Sequence, residues 1–233
     1  MFNFRGSSRA HPNVVDDVAR RQQEQRSAGA RSARSVSPMP DDPLVWLQKH
    51  TRTKDSHWRE AGANSPFRCF PEKPYFRSVA ELFQAEPIMF IEKSRDMMLS
   101  WLCVGLFTHA AITTPGIEVL FQSQKEDKAF ELVDYARVLY VNSDKAILDA
   151  YPVKSKYQAD GELVFANGSR IIGIPGGGHQ IRSYHPWGLL MDEAAFMPEA
   201  GESYDHAVSV CQKIVLLSSA GPGWFADQSA QAV

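Results

Sequence analysis

The chain has 233 residues, 44% of them hydrophobic and 22% charged, with a formal net charge of −2. That is enough for one large α/β domain with a real core, and the near-neutral charge excludes global attraction to nucleic acid or membrane, so any polyanion contact must be local. Three cysteines, Cys69, Cys103 and Cys211, stand too far apart for a disulfide framework or a metal pattern, which fits a reducing cytosol.

No signal peptide is expected at Met1, because "MFNFRGSSRAHPNVV" lacks an adequate apolar stretch. The most apolar segment, Met97 to Ile112, is shorter than a bilayer span of about 20 residues. A soluble protein with no membrane partner is expected. Residues 1–40 are rich in Arg, Ser, Ala and Gln and poor in large apolar groups, and read as a disordered basic tail. The arginines are scattered and no aromatic interleaves them, which favours a solvated terminus over a nucleic-acid-binding arm.

From "DDPLVWLQKHT" onward the chain reads as folded, residues 41–86 forming a lead-in that packs on a core spanning 87–233. Asp41 or Asp42 is placed to cap a short helix with Pro43 in its first turn. "PFRCFPEKPYF", Pro66 to Phe76, suggests an ordered loop, and Ser78 to Ala85 a helix. "PIMFIE" (87–92) is an expected strand, and Met97 to Ala111 an apolar and hence buried helix. "IEVLFQS" (117–123) is a strand and Lys125 to Val141 an amphipathic helix.

"ELVFANGSRIIGIP" holds two β-rich runs joined by Asn167-Gly168, a hairpin signal in which both turn positions are expected at positive φ. "WGLLMDEA" (187–194) and "KIVLLSSA" (213–220) are further apolar strands, separated by a helix over Glu199 to Cys211. Strand–helix alternation with continuously apolar strands implies a mainly parallel sheet flanked by helices.

Two features carry chemistry. In "GLLMDEAAF" an apolar strand ends in Asp192-Glu193, at the sheet edge where open parallel sheets bind ligands. An acid pair there can hold Mg²⁺ and polarise an attacking water, although the same pair also fits the start of a solvated loop. In "IVLLSSAGPG" the small hydroxyl residues Ser218 and Ser219 close the following strand. They can sense a terminal phosphate, or simply form a polar strand end.

A third stretch, "IEKSRDMMLSW", sits between a strand and an apolar helix, where a phosphate loop belongs, yet it has no glycine. Against G-x-x-x-x-G-K-[ST], Ser100 takes the final hydroxyl, Leu99 the lysine position, Met98 the second glycine and Lys93 the first position. The charge moves to the far side of the loop, with Ser94 and Arg95 beside it. Lys93 can reach a β/γ-phosphate from there, and Arg95 can bridge the γ-phosphate during transfer. A solvated turn at a helix start is the plainer alternative.

In this order, "EKSRDMMLSW", "FQSQKEDKAFELVDYAR", "IRSYHPWGLLMDEAAF" and "LLSSAGPGWF" resemble the large terminase subunit of tailed bacteriophages and prophages, over roughly residues 42 to 225. "PEKPYF" and "DPLVWLQKHT" resemble the family's lead-in. The resemblance implies a P-loop NTPase of the additional-strand, RecA-like type, with strand 117–123 between phosphate loop and acidic strand. It implies an ATPase that drives double-stranded DNA into the procapsid from the host bacterial cytoplasm.

Carried over by motif, Lys93, Ser94, Arg95 and Ser100 would hold phosphate and Mg²⁺, with Arg95 also catalytic. Asp192 would hold Mg²⁺, Glu193 would be the catalytic carboxylate, and Ser218–Ala220 the coupling motif. The implied partners are a homo-oligomeric ring, a small terminase subunit and the portal protein. Family members continue into an RNase H-like nuclease; with the sequence stopping at Val233, that domain and any DNA cleavage are expected to be absent. A helicase-like ATPase and an inactive prophage fragment remain the alternatives.

Other polar residues carry weaker expectations. Gly176–Gly178 is expected to be a flexible connection with no helix after it. Arg182 is a candidate for nucleotide or DNA contact, with an exposed structural role the duller option. Gln122, Gln124 and Lys125 are candidates for lining the site, and Tyr75, Phe76 and Gln84 for approaching the adenine. His179 and His185 lack partners at metal-ligand spacing.

Overall fold

Two sheets organise the computed structural model, which describes residues 37–55, 58–60, 62–154 and 160–231. An antiparallel pair, β1 (Arg52–Lys54) and β2 (Phe67–Cys69), lies upstream. The six-stranded sheet comprises β3 (Ile88–Lys93), β4 (Glu118–Ser123), β5 (Glu162–Val164), β6 (Arg170–Pro175), β7 (Gly188–Asp192) and β8 (Lys213–Ser219). Its order is β3-β8-β7-β4-β6-β5, and every pairing is parallel except that of β5 with β6.

The helices are α1 (Pro43–Val45), α2 (Pro74–Ala85), α3 (Leu99–Thr113), α4 (Glu126–Val141), α5 (Lys145–Ala150), α6 (Gly178–Ile181), α7 (Ala200–Val210) and α8 (Trp224–Gln231). Of the acids before Pro43, Asp42 is the cap: its Oδ1 accepts the Leu44 N–H at 2.9 Å, and α1 runs into a π-helical turn over Trp46–His50.

Alternate residues of the central strands serve opposite faces. Val215 and Leu217 pack with the α2–α3–α4 side, while Ile214 and Leu216 pack with Ala200, Ala207 and Phe225 on the α7–α8 side. Because both faces are covered, the strands read as unbroken apolar runs. Helix α3 is buried nearly all round, and Gly105 lets it approach the lead-in closely: a Cβ there would meet Leu47 Cδ2 at 2.5 Å. Of the expected tail, 1–40, residues 1–36 lie outside the described residues. Met39 is buried, and the Pro40 carbonyl accepts from His109 Nε2 at 2.7 Å.

Four local readings need correction. The strand separating β3 from the acidic strand β7 in space is β8, whereas β4 (expected as 117–123) lies on β7's other side; it comes between them only in chain order. The Asn167-Gly168 hairpin forms, but as a three-residue loop closed by Phe165 N–H to Ser169 O at 2.9 Å. Only Gly168 takes positive φ, since a three-residue hairpin loop needs a left-handed residue only at its last position, and the Asn167 side chain is engaged with the Ala111 and Ile112 carbonyls and the Ser169 amide.

The segment 66–76 is not one loop: β2 pairs within it, and α2 begins at Pro74, whose fixed φ suits a helix's first turn. Gly176-Gly177 is followed by a helical turn, α6, where Gly178 packs against Glu202 so closely that a Cβ would meet its Cγ at 2.6 Å. Among the described residues no helix is long and apolar enough to cross a membrane.

Candidate functional site

Strands β3 and β7 end side by side, save for β8, at the carboxyl edge of the sheet, the edge where ligands of open parallel sheets bind. Lys93 closes β3, directly opposite Ser219 of β8, and Asp192 closes β7 opposite Leu217. This register places the end of β8 between the lysine and the acids.

The glycine-free loop after Lys93 adopts glycine-like conformations. Asp96 (φ 63°) and Met98 (φ 59°) are left-handed, and Met98 stands where the standard phosphate loop has its second glycine. Local contacts hold this turn: the Ser94 N–H donates to Met97 Sδ at 3.3 Å and the Tyr75 hydroxyl to the Met97 carbonyl at 2.9 Å. The turn delivers Ser100 into the first turn of α3. Its Oγ donates to Asp192 Oδ1 at 3.2 Å, and the same oxygen accepts the Glu193 N–H at 3.1 Å.

Glu193 is itself left-handed (φ 56°), which turns the chain sharply after the strand. Lys93 Nζ donates to Glu193 Oε1 at 2.6 Å. The Ser219 N–H donates to Glu193 Oε2 at 3.2 Å and the Ser219 hydroxyl to Oε1 at 3.3 Å. Ser218 Oγ lies 3.5 Å from Oε2 and accepts the Ala195 N–H at 3.1 Å. The two acids therefore differ. Burial pushes the Asp192 carboxyl up to about 6, against the pull of Lys93. Burial also works to raise Glu193, but the Lys93 hydrogen bond and the Ser219 amide outweigh it and hold that carboxyl below its ordinary value.

Two clefts meet here. One, about 480 Å³, runs from Lys93, Ser94 and Ser100 to β1 and β2. The other, about 240 Å³, is lined by Ser100, Ser123, Lys128, Tyr135, Asp192 and Glu193. The structure thus gathers Lys93, Ser94, Ser100, Asp192, Glu193, Ser218 and Ser219. Arg95 is exposed on the loop and lines neither cleft.

The weaker candidates separate. Gln124 lines the smaller cleft. Gln122 is buried, with Nε2 donating to the Pro175 and Gly177 carbonyls at 3.1 and 3.3 Å, so it braces the turn before α6. Phe76 is fully buried in the core and has no face for a base, Tyr75 is engaged with Met97, and Gln84 is exposed on α2. Arg182 donates to His206 on the surface at 2.9 Å. Sequence reasoning missed Trp101, Lys128 and Tyr135 in the cleft walls, although Trp101 directly follows Ser100.

The donor set fits Mg²⁺. Ser100 Oγ and Asp192 Oδ1 are hard oxygen donors 3.2 Å apart, and both line the smaller cleft; Mg²⁺ in nucleotide sites takes one or two protein oxygens beside phosphate and water. Among the described residues no cluster of His, Cys, Asp and Glu competes for a metal.

No protein-family model and no curated protein sequence matches the chain. Solved structures do. The ATPase domain of the Thermus phage P74-26 large terminase is 14% identical, with a TM-score of 0.51, covering 76% of this chain and 73% of that one. The large terminase of bacteriophage HK97 is 8% identical, with a TM-score of 0.55, covering 77% of this chain and 37% of that one. The chain therefore has the fold of phage large-terminase ATPase domains, and spans a little over a third of the longer HK97 protein.

Proposed function

We propose that the chain is an ATP hydrolase of the DNA-packaging motor type. The observation that carries this is the convergence of Lys93, Ser100, Asp192 and Glu193, from three separate elements, at one edge of the six-stranded sheet, in a fold similar to that of phage terminase ATPase domains. Ser100 and Asp192 would hold Mg²⁺, which neutralises phosphate charge when bound. Lys93 exchanges Glu193 for a β/γ-phosphate oxygen of ATP. Glu193, released, orients a water and accepts its proton. Ser94 offers a loop-edge hydroxyl to phosphate, and Arg95 reaches the γ-phosphate only after the loop rearranges. Ser218 and Ser219, hydrogen-bonded around Glu193, register its release and pass it to the segment after β8.

The wider function follows from the sequence resemblance alone: packaging of double-stranded DNA by a homo-oligomeric ring, with a small terminase subunit and a portal protein as partners, at the procapsid in the bacterial cytoplasm. The test is steady-state Mg-ATP hydrolysis by the purified chain beside Lys93→Ala and Glu193→Gln. Both variants should fall to background, and equal rates in all three would end this proposal.

A further inference from the structure

The smaller cleft holds a cation that the phosphate site leaves unused. Lys128 lines it together with three carboxylates, Glu131, Asp192 and Glu193, and is its only cation among the described residues. It stands in the first turn of α4, where the helix dipole favours anions and a lysine adds nothing to the helix. Its Nζ donates to Glu131 Oε2 at 2.8 Å, and the side chain is 60% exposed. The carboxylate that receives it is held from the other side. The Tyr135 hydroxyl donates to Glu131 Oε1 at 2.9 Å, and the Tyr135 ring stacks on Trp101 with centroids 4.1 Å apart and planes 12° from parallel. Glu131 is thus fixed, while the lysine can turn away from it. An exposed ion pair of this kind is weak, and a terminal phosphate, with more charge than a carboxylate, is the stronger partner for an ammonium.

Lys93 comes from β3, on one side of β7, and the smaller cleft lies toward β4 and α4, on the other. A γ-phosphate facing Asp192 and Glu193 has Lys93 on the first side and Lys128 on the second. Negative charge spreads over the γ-phosphoryl oxygens during transfer. We propose that Lys128 leaves Glu131 for a γ-phosphate oxygen and neutralises that charge, as a catalytic residue supplied by the same chain, with Glu131 and Tyr135 keeping it beside the cleft between turnovers. The water oxygen bonds to the γ-phosphorus, the bond from that phosphorus to the β,γ-bridging oxygen breaks, and ADP leaves with the electron pair while a water proton passes to Glu193. Lys128 donates a hydrogen bond throughout and forms no covalent one. The inference rests on the ATPase reading proposed above.

Its test is single-turnover Mg-ATP hydrolysis, with binding of Mg-ADP and of the transition-state mimic Mg-ADP–aluminium fluoride, by wild type, Lys128→Ala, Lys128→Arg and Glu131→Gln. Lys128→Ala should slow the chemical step about a hundredfold, weaken the fluoride complex similarly and leave Mg-ADP within about twofold. Lys128→Arg should restore most of the rate, and Glu131→Gln, which removes only the resting partner, should stay within about threefold of wild type. Equal chemical rates in wild type and Lys128→Ala overturn the assignment. A Glu131→Gln rate as low as that of Lys128→Ala also overturns it, since the pair would then act only by holding α4. No hydrolysis by wild type, or hydrolysis that Lys93→Ala and Glu193→Gln leave unchanged, overturns the ATPase reading and this assignment with it.

Discussion

Lys93 Nζ stands 2.6 Å from Glu193 Oε1, and the lysine side chain is only 10% exposed. The two side chains thus neutralise each other in this structure, and under the proposed function ATP binding would have to break the pair. Removing the carboxylate's charge in Glu193→Gln should therefore tighten ATP binding by roughly three- to tenfold, the scale of a partly exposed ion pair, while slowing turnover by about a hundredfold or more. Equilibrium binding and single-turnover kinetics on the same preparation check both halves.

Asp192 gives a pH signature. Burial raises its carboxyl to about 6 in the folded chain, above the ordinary unfolded value near 3.9. The folded state holds this proton more tightly, so ionisation costs stability. The cost is absent below the unfolded value and complete above about pH 6. Asp192→Asn should accordingly stabilise the fold by about 1–3 kcal/mol at pH 8, with the gain shrinking as pH falls from 6 to 4. Mg-ATP binding by wild type should weaken over the same descent. Thermal melts and binding across that range measure the two effects.

Much of this was legible in the sequence. Strands β3, β4, β7 and β8 are short apolar runs closed by polar residues, and burial on both faces leaves such runs little alternative. Asp192 and Glu193 are readable from the rule that ligands sit at strand ends, whereas Lys93 and Ser100 come from laying the glycine-free loop on the phosphate-loop pattern and from the family resemblance. What escaped reading depends on contacts between distant residues. Strands β1 and β2 are three residues each and mostly exposed, too short for a periodic signal. The Trp101–Tyr135 stack joins two helices, and no spacing announces it. The backbone of the loop after Lys93 was hidden because Asp96 and Met98 take left-handed conformations that only glycine would have advertised.

That loop supplies a stability prediction. A left-handed residue with a side chain costs about 1–2 kcal/mol, and a β-branched one more. Met98→Gly should stay within about 1 kcal/mol of wild type despite losing a half-buried side chain, because relief of strain offsets lost packing. Met98→Val should cost about 2 kcal/mol or more. Urea unfolding of the three proteins decides it, and a valine tolerated as well as glycine would mean that the turn is not left-handed in solution.

Lys213, at the base of β8, is buried and donates to the Phe83 carbonyl at 2.5 Å and to the Glu86 carbonyl, closing the end of α2. Burial lowers its pKa. Lys213→Met fills the same space but leaves both carbonyls without this donor, and should destabilise the chain by about 1–3 kcal/mol. A melting temperature equal to wild type would show that water replaces the ammonium at no cost.

The most direct measurement is a crystal structure of the chain with Mg²⁺ and a non-hydrolysable ATP analogue. Lys93 Nζ should have left Glu193 for a β- or γ-phosphate oxygen, with Ser100 Oγ and Asp192 at the metal and Glu193 facing the terminal phosphate. An analogue bound elsewhere, with the Lys93–Glu193 pair still closed, would contradict the proposed phosphate site.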